Sequence, residues 1–488
     1  MSTRVKIPGC VVWYPINRSR LVGESLRRCS PGLICENGCV VIDMRLLDGL
    51  RLEKTSRLAI VGSGGKSTIL FNSSKEFARP VVLAATVHLF TDQLKLADTH
   101  TVIEHPDDVE LAFQKPLNGI TLLTGPIGEN NRTRGIQSPE IDLIREFCDR
   151  LDLPLLLEAD GSRRLPLKAP AQHEPPIPAW VNQVVVVVGL SGLGKPVDEE
   201  TVFRAEKFAE ITGTQLGEKI TFEMILRYLL ADEGGLKNIP KNARKSVFFN
   251  QLDQVVLNDQ EKQAISTPLL EKYHQVIWGN AAQVSPAERV EQRFERVAGI
   301  ILAAGGSTRF GKPKQLLEWR GKPFIWHVVQ KSLRAGLQPI VVVSGAHNQA
   351  VEKAVADLPV TVVHNSQWEM GLSTSVKCGL AGVADQVGAA VFLMSDVPQI
   401  PQGVIEKLVS AHRKKAGTIF STSLQGQTVN PVLFDRRCFE DLLKLEGERG
   451  GKALFNKYSV ETIEWENPND LRDIDREEDY EWLRARYG

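Results

Sequence analysis

Residues 299–317, Gly-Ile-Ile-Leu-Ala-Ala-Gly-Gly-Ser-Thr-Arg-Phe-Gly-Lys-Pro-Lys-Gln-Leu-Leu, decide how the second half of the chain is read. The apolar run 297–304 has the continuity of a buried parallel strand. It ends at Gly305-Gly306, where the backbone can turn sharply and approach a ligand closely. Successive N–H groups in such a turn form an anion-binding concavity. Ser307, Arg309, Lys312 and Lys314 follow closely and add donors and positive charge. Pro313 keeps the segment before Lys314 out of a regular helix. This combination suits a strand-end loop that cradles a polyphosphate.

Downstream the pattern stays α/β. Residues 323–335 read as an amphipathic helix and 339–344 as a strand ending at Gly345-Ala346-His347. Thr361–His364 and Ala389–Met394 read as further strands, and the latter runs into Ser395-Asp396-Val397-Pro398. A carboxylate at the end of a central strand, facing a phosphate loop from the first, is the geometry for a metal-bridged triphosphate.

At 488 residues the chain is too long for one core, so two or three domains are expected. Lys+Arg and Asp+Glu balance at 59 each, so nothing global points to nucleic acid or an anionic membrane. The longest apolar run, 184–190, is interrupted by Gly189 and is far too short to span a bilayer. Arg4 and Lys6 precede only a short apolar patch, which does not make a secretory signal. Seven cysteines in so long a chain do not form a disulfide framework, and the expected compartment is a reducing cytoplasm. Cys10, Cys29, Cys35 and Cys39 lack the paired Cys-x-x-Cys spacing of common zinc sites. Residues 1–43 therefore read as a poorly ordered extension, with a cleaner domain start at Met44.

The first half opens another α/β pattern. Residues 57–61 read as a strand, followed by Gly62-Ser63-Gly64-Gly65-Lys66-Ser67-Thr68 and a helical spacing from Ile69 to Phe77. Strand, glycine loop, Lys-Ser and helix make a phosphate-loop arrangement. Backbone amides and a helix N-terminus receive the phosphate. Lys66 would reach the terminal phosphates, and a Ser67 or Thr68 hydroxyl would bind Mg²⁺. The usual P-loop has a glycine where Ile60 stands, and the tighter form here is similar to the loop of ATP-dependent ligases that build peptidoglycan. Glu158 and Asp160 follow a buried strand and are placed to hold Mg²⁺ or polarise water beside that loop. Asn250-Gln251-Leu252-Asp253 resembles the Asn-Lys-x-Asp base-reading element of GTPases, although a helix cap is an equal reading for Asn250 and Asp253. Thr86 and His88 sit after the strand 80–85, where a substrate or metal could be met. Lys168, His173 and Glu174 cluster among prolines at a plausible site edge. The charged stretch 285–296 has helical spacing suited to a linker helix.

Three strings in the first half resemble the YqeC family, accessory proteins of selenium-dependent molybdenum hydroxylases. They are residues 62–68, the Glu158-Ala-Asp-Gly-Ser-Arg-Arg-Leu-Pro-Leu-Lys-Ala-Pro string with His173-Glu174-Pro175, and Val188-Gly-Leu-Ser-Gly-Leu-Gly-Lys-Pro. The second half resembles the MobA/MocA-like molybdenum cofactor nucleotidyltransferases, leaning to the cytidylyltransferase branch. The likeness is carried by Leu302-Ala-Ala-Gly-x-Ser-x-Arg309-x-Gly311-x-x-Lys314, Trp368 to Gly371, Ser373 to Ser375, Leu393-x-x-Asp396-x-Pro398, Asn430-Pro431 and Asp473-Ile-Asp475. Asn430, Lys377 and the string 447–452 depart from that family's usual residues.

The resemblances imply two doubly wound α/β domains: a P-loop-like one over 44–284 and, after a linker at 285–296, a Rossmann-like nucleotidyltransferase over 297–488. They imply Mg²⁺-dependent transfer of CMP from CTP to molybdopterin with release of pyrophosphate. Ala303, Ala304, Gly305, Gly306 and Ser307 would hold the nucleotide, Arg309 and Lys314 would neutralise developing charge, and Asp396 with Asp475 would carry Mg²⁺. Gly371, Ser373, Ser375 and Asn430 would receive the pterin side. The first domain would bind ATP or GTP through Gly62, Gly64, Gly65, Lys66, Ser67 and Thr68, with Glu158, Asp160, Asn250 and Asp253, and serve a client hydroxylase. A cofactor chaperone without turnover and a different cytidylyl- or sugar-phosphate nucleotidyltransferase remain as alternatives.

Overall fold

A computed structural model of the chain describes residues 43–128, 131–306, 310, 312–383 and 387–488, with four two-residue strands before position 43. The chain divides into two compact units, one running from Met44 to Glu295 and the other holding Arg296–Gly488. The expectation of a poorly ordered 1–43 falls largely outside the described residues. No described helix is long and apolar enough to cross a membrane.

The first unit is built on a nine-stranded sheet. Its strands are β1 (Arg57–Gly62), β2 (Val81–Ala85), β3 (Thr99–Val102), β4 (Ile120–Thr124), β5 (Leu155–Glu158), β6 (Gln183–Gly189), β7 (Arg244–Asn250), β8 (Gln275–Gly279) and β9 (Val290–Glu295). They lie in the order β9-β8-β7-β6-β1-β5-β2-β4-β3, all parallel except β9. Both faces are covered, which is why the strands read as continuous apolar runs. Along β1, Leu58 and Ile60 enter one core while Ala59 and Val61 enter the other. Val184, Val186 and Val188 of β6 divide from Val185 and Val187 in the same way.

The expected helix at 285–296 is not formed. One 3₁₀ turn at Pro286–Glu288 leads into β9, which pairs antiparallel with β8 and belongs to the first unit. Only Glu291 of the six residues of β9 is exposed; Arg293 and Glu295 are buried too, as an ion pair with each other, so buried charge hid the strand from a reading of hydrophobic periodicity. Pairing with β8 made it a strand.

The second unit has a seven-stranded sheet made of β10 (Val297–Ala303), β11 (Ile340–Ser344), β12 (Thr361–His364), β13 (Ala389–Met394), β14 (Ile419–Leu424), β15 (Gln427–Asp435) and β16 (Val460–Glu464). The order is β12-β11-β10-β13-β15-β14-β16, with β10 to β13 parallel and β15 antiparallel to both its neighbours. Ile300 and Leu302 face one core and Val297 and Ile301 the other. The four strands β10 to β13, and the helix Phe324–Arg334, fall within two residues of their expected positions; β14 to β16 were not anticipated.

In both sheets the chain leaves the central strand to one side and returns on the other. The reversal lies between β1 and β6 in the first unit and between β10 and β13 in the second. Open parallel sheets bind ligands in the crevice at such a point, beyond the strands' carboxyl ends. Each glycine loop sits there.

The first loop is seated backbone to backbone. Gly62, Gly64 and Gly65 have φ of 88°, 82° and 119°. A β-carbon on Gly64 would lie 2.3 Å from the Cα of Gly189 at the end of β6. Gly64→Ala therefore combines positive-φ strain, about 1–3 kcal/mol, with a backbone clash. It should lower the thermal midpoint of the first unit by several degrees. Gly161→Ala, where a β-carbon meets nothing within 4 Å, should stay within about 0.5 kcal/mol of the parent. Equal midpoints for the two variants would refute this account of the loop.

Candidate functional sites

Four contacts clamp the first glycine loop to the segment after β5. The Gly62 amide donates to Asp160 Oδ2 at 3.1 Å, and Ser63 Oγ donates to the Leu165 carbonyl. Lys66 Nζ donates to Gly62 O at 2.8 Å and to Ser162 Oγ at 3.0 Å. Ser67 Oγ donates to Glu158 Oε2 at 2.8 Å and accepts from Gln93 Nε2 at 2.7 Å. The helix Lys66–Ser74 begins directly at this loop, so its free N–H groups face whatever the loop receives.

Burial pushes the Lys66 ammonium below its ordinary value, with Glu158 and Asp160 opposing. Burial likewise raises Glu158, against the pull of Lys66 and Ser67. The two groups hold charge at a desolvation cost that an arriving phosphate and its counter-ion would relieve.

Lys66, Ser67, Thr68, Gly64, Gly65 and Glu158 all line one cavity of about 1100 Å³. Thr86, His88, His173 and Glu174 reach the same cavity, so these residues converge as their loop positions suggested. His88 Nδ1 lies 2.7 Å from the Thr133 carbonyl, a contact that assigns the proton to Nδ1. Behind the wall, buried Lys168 donates to Asp160, to Gly161 O at 2.8 Å and to Glu174 Oε2 at 2.9 Å. Arg204 completes this network through both Glu174 oxygens, at 2.8 and 3.1 Å. Burial would raise the Glu174 carboxyl, but Arg204 and Lys168 outweigh it and hold it down to about 2.

Three residues of the expected nucleotide set serve elsewhere. Asp160 is buried and spends its oxygens on the Gly62 amide and Lys168, bracing the loop. Asn250 is buried too: its Nδ2 donates to Gly64 O at 2.8 Å and its Oδ1 accepts from Ala281 N at 2.9 Å. Asp253 is exposed and accepts from Asn280 Nδ2 at 2.7 Å, away from the cavity wall. The base-reading arrangement expected for Asn250 and Asp253 is thus replaced by a loop brace and a surface contact. Sequence reasoning missed Phe90, Gln93, Arg132, Arg134 and Arg204, all of which line the cavity. They lie outside glycine motifs, and only sheet order brings them in.

In the second unit, the loop after β10 and the end of β13 meet. Lys314 Nζ donates to Asp396 Oδ2 at 2.9 Å and to Asp475 Oδ1 at 2.6 Å. Ile474 N donates to Asp396 O at 3.1 Å, which sets Asp473 and Asp475 on either side of that strand end. Burial lowers the Lys314 ammonium, but Asp396 and Asp475 outweigh it, and the net shift is upward. Asp473, exposed as a whole residue, has its carboxyl pushed up to about 6 by partial withdrawal from water and the charges of Asp396 and Asp475. Gln315, which sequence reasoning left unassigned, is buried and its Nε2 donates to the Ala303 and Gly305 carbonyls, both at 3.3 Å. Gly306 needs its missing side chain, since a β-carbon would come 3.0 Å from the Trp368 ring. Ser307 and Arg309 lie outside the described residues.

Asp396 Oδ1 is buried and, among the described residues, has no hydrogen-bond partner. An orphaned carboxylate oxygen of this kind is one ligand a divalent cation could take. Asn430 lines a separate apolar pocket of about 190 Å³ with Leu302, Phe392, Phe434 and Lys452. Ser373 and Ser375 do not reach it. Both are buried, and Ser375 Oγ accepts from Asn365 Nδ2 at 3.0 Å. Gly371, at φ 109°, packs against the Gly447 backbone, and Ser373 N donates to Gly447 O at 3.1 Å. These residues seat the segment after Gly447 rather than present hydroxyls to a ligand.

Comparison with known proteins agrees with this division. The YqeC protein family model matches residues 58–206, and the MobA-like NTP transferase domain model matches residues 299–462. Protein YqeC of Escherichia coli (strain K12), itself uncharacterized, is 29% identical over 255 residues, 50% of this chain and 93% of that protein. The molybdenum cofactor cytidylyltransferase of the same strain is 26% identical over 191 residues, 38% of this chain and 95% of the relative. A bifunctional protein GlmU from Syntrophotalea carbinolica is 30% identical over 146 residues, 30% of this chain but only 31% of its own length. The chain therefore joins a YqeC domain to a MobA-like NTP transferase domain, and its second half is a nucleotidyltransferase.

Proposed function

We propose that the second unit transfers CMP from CTP to the terminal phosphate of molybdopterin, with Mg²⁺ and release of pyrophosphate. The observation that carries this reading is the meeting of Lys314, from the glycine-turn loop, with Asp396 and Asp475. Likeness to the Escherichia coli molybdenum cofactor cytidylyltransferase supports the choice of substrates.

The reaction forms a bond from a phosphate oxygen to the α-phosphorus of CTP and breaks the α–β bridge, so pyrophosphate leaves in line. Positioning and charge stabilisation account for most of the catalysis in such transfers. The Gly305 and Gly306 amides would bind the triphosphate, and Lys314, with Arg309 by family resemblance, would offset charge gathering on pyrophosphate. Asp396 and Asp475 would hold Mg²⁺, which when bound supplies positive charge to the triphosphate. Asn430 and its apolar pocket would receive the pterin.

In the first unit we read the loop Gly62–Ser67 as a P-loop-like site for ATP or GTP. Lys66 would bind the terminal phosphate, and Ser67 with Glu158 would hold Mg²⁺. Its service to a client molybdenum hydroxylase, selenium-dependent, rests on family resemblance, and the match to the YqeC model supports that resemblance. Likeness to GlmU favours, as a second reading, a different phosphorylated acceptor in the second unit.

Purified chain with molybdopterin, Mg²⁺ and each nucleoside triphosphate in turn should release pyrophosphate only with CTP and only when the pterin is present. Asp396→Asn should lower kcat about 10²–10³-fold, near 3–4 kcal/mol of barrier. Release that is as fast without pterin overturns the assignment, and release with a sugar phosphate in its place favours the second reading. Binding of molybdopterin with no release would identify a chaperone. Separately, Lys66→Met should weaken nucleotide binding to the first unit at least tenfold by titration calorimetry; an unchanged affinity would remove the glycine loop from that role.

A further inference from the structure

The cavity of the first unit carries more positive charge than a single phosphate tail would use. Its volume is about 1100 Å³, whereas pockets of ~300–1,000 Å³ suffice to bury a drug-sized ligand. Besides Lys66, its wall holds Arg132, Arg134, Arg163 and Arg164.

Sheet order separates two of these from the glycine loop. Arg132 and Arg134 belong to the segment after β4, which is fixed to the end of β2: Thr133 N donates to Leu89 O at 2.9 Å and Ile136 N to Ala85 O at 2.8 Å. A β-carbon on Gly135 would lie 2.2 Å from the Thr86 carbonyl, so the two backbones touch. β2 and β4 stand two and three strand positions from β1, roughly 10–14 Å at the usual strand spacing. The arginines therefore form a second positive centre, set apart from Lys66.

That centre is propped open. Arg132 and Arg164 lie 4.2 and 4.1 Å from the centroid of the Phe90 ring. Two guanidiniums cannot share one face at that distance, so the ring separates them. Arg164 pairs with exposed Asp92 at 2.6 Å. Among the described residues, Arg132 and Arg134 have no carboxylate partner. Thr86, 7% exposed and on the same cavity wall, has a buried Oγ1 that finds no hydrogen-bond partner among the described residues. Guanidiniums without a carboxylate partner, on the same cavity wall as an unused hydroxyl, are donors that a phosphate can take up in charge-assisted hydrogen bonds.

We propose that Arg132, Arg134 and Thr86 form a second anion subsite, which receives the phosphate of a phosphorylated small molecule bound together with a nucleotide on the glycine loop. The simultaneous binding rests on the nucleotide reading above; the subsite itself does not. The first unit is then a two-substrate site, with the acceptor or donor of its reaction anchored beside β2 and β4.

Titration calorimetry of the full chain carrying Lys314→Ala, which weakens phosphate binding at the second unit, tests this with inorganic pyrophosphate as the probe. With the glycine loop saturated by a non-hydrolysable ATP or GTP analogue, pyrophosphate should still bind, more weakly as salt rises. The double change Arg132→Gln/Arg134→Gln should lower pyrophosphate affinity at least tenfold and analogue affinity less than threefold, while Arg134→Lys keeps most of it. Competition between pyrophosphate and the analogue for one site, or unchanged pyrophosphate affinity in the double variant, overturns the proposal. Should the double variant fail to fold, Arg134→Gln alone, at an exposed residue, gives the same comparison. If Lys66→Met leaves analogue binding intact, the nucleotide reading fails by itself, and pyrophosphate titration of the arginine variants still decides the subsite.

Discussion

Two strand ends in the first unit approach so closely that neither can carry a side chain. Gly64 and Gly189 meet across the boundary between β1 and β6, and everything else in that unit's site is arranged around the contact. Asp160 holds the loop by its first amide, Asn250 holds it by the Gly64 carbonyl, and Lys66 folds back onto Gly62. A loop fixed at so many points offers its remaining amides without reorganising, the condition under which fixed dipoles stabilise an anion most effectively.

The second unit solves a similar problem with a different balance of charge. Its loop is tied down by Gln315 and reaches the neighbouring strand through Lys314, which sits between Asp396 and Asp475. Carboxylates dominate there, and burial together with the charges of Asp396 and Asp475 raises Asp473 to about 6. The cavity of the first unit is the reverse, a wall of guanidiniums with few acidic partners. Two glycine loops in one chain thus present opposite electrostatic surroundings.

The elements that were legible share a physical reason. Strands buried on both faces need unbroken apolar residues, and that requirement is local, so β1, β10 and β13 could be read directly. Glycines at the loops could be read because close approach leaves no substitute. The stretch that misled, 285–296, carries charges that the fold buries, and its pairing with β8 lies outside the local sequence. Asn250 and Asp253 misled for a related cause: a polar residue after a strand looks alike whether it faces a ligand or braces a backbone. Ser373 and Ser375 carry hydroxyls that would suit a pterin, yet their helix turns both into the interior.

The sequence by itself determined two α/β units, the positions of both glycine loops and the carboxylates that follow strands, because each is a property of a short run of residues. Tertiary structure alone decided which polar groups face a cavity. Arg132 and Arg134 reach the cavity that Lys66 lines only through the order β1-β5-β2-β4, and Asp475 meets Lys314 across 161 residues of chain. Such encounters depend on strand order and packing, and no local pattern in the chain encodes them.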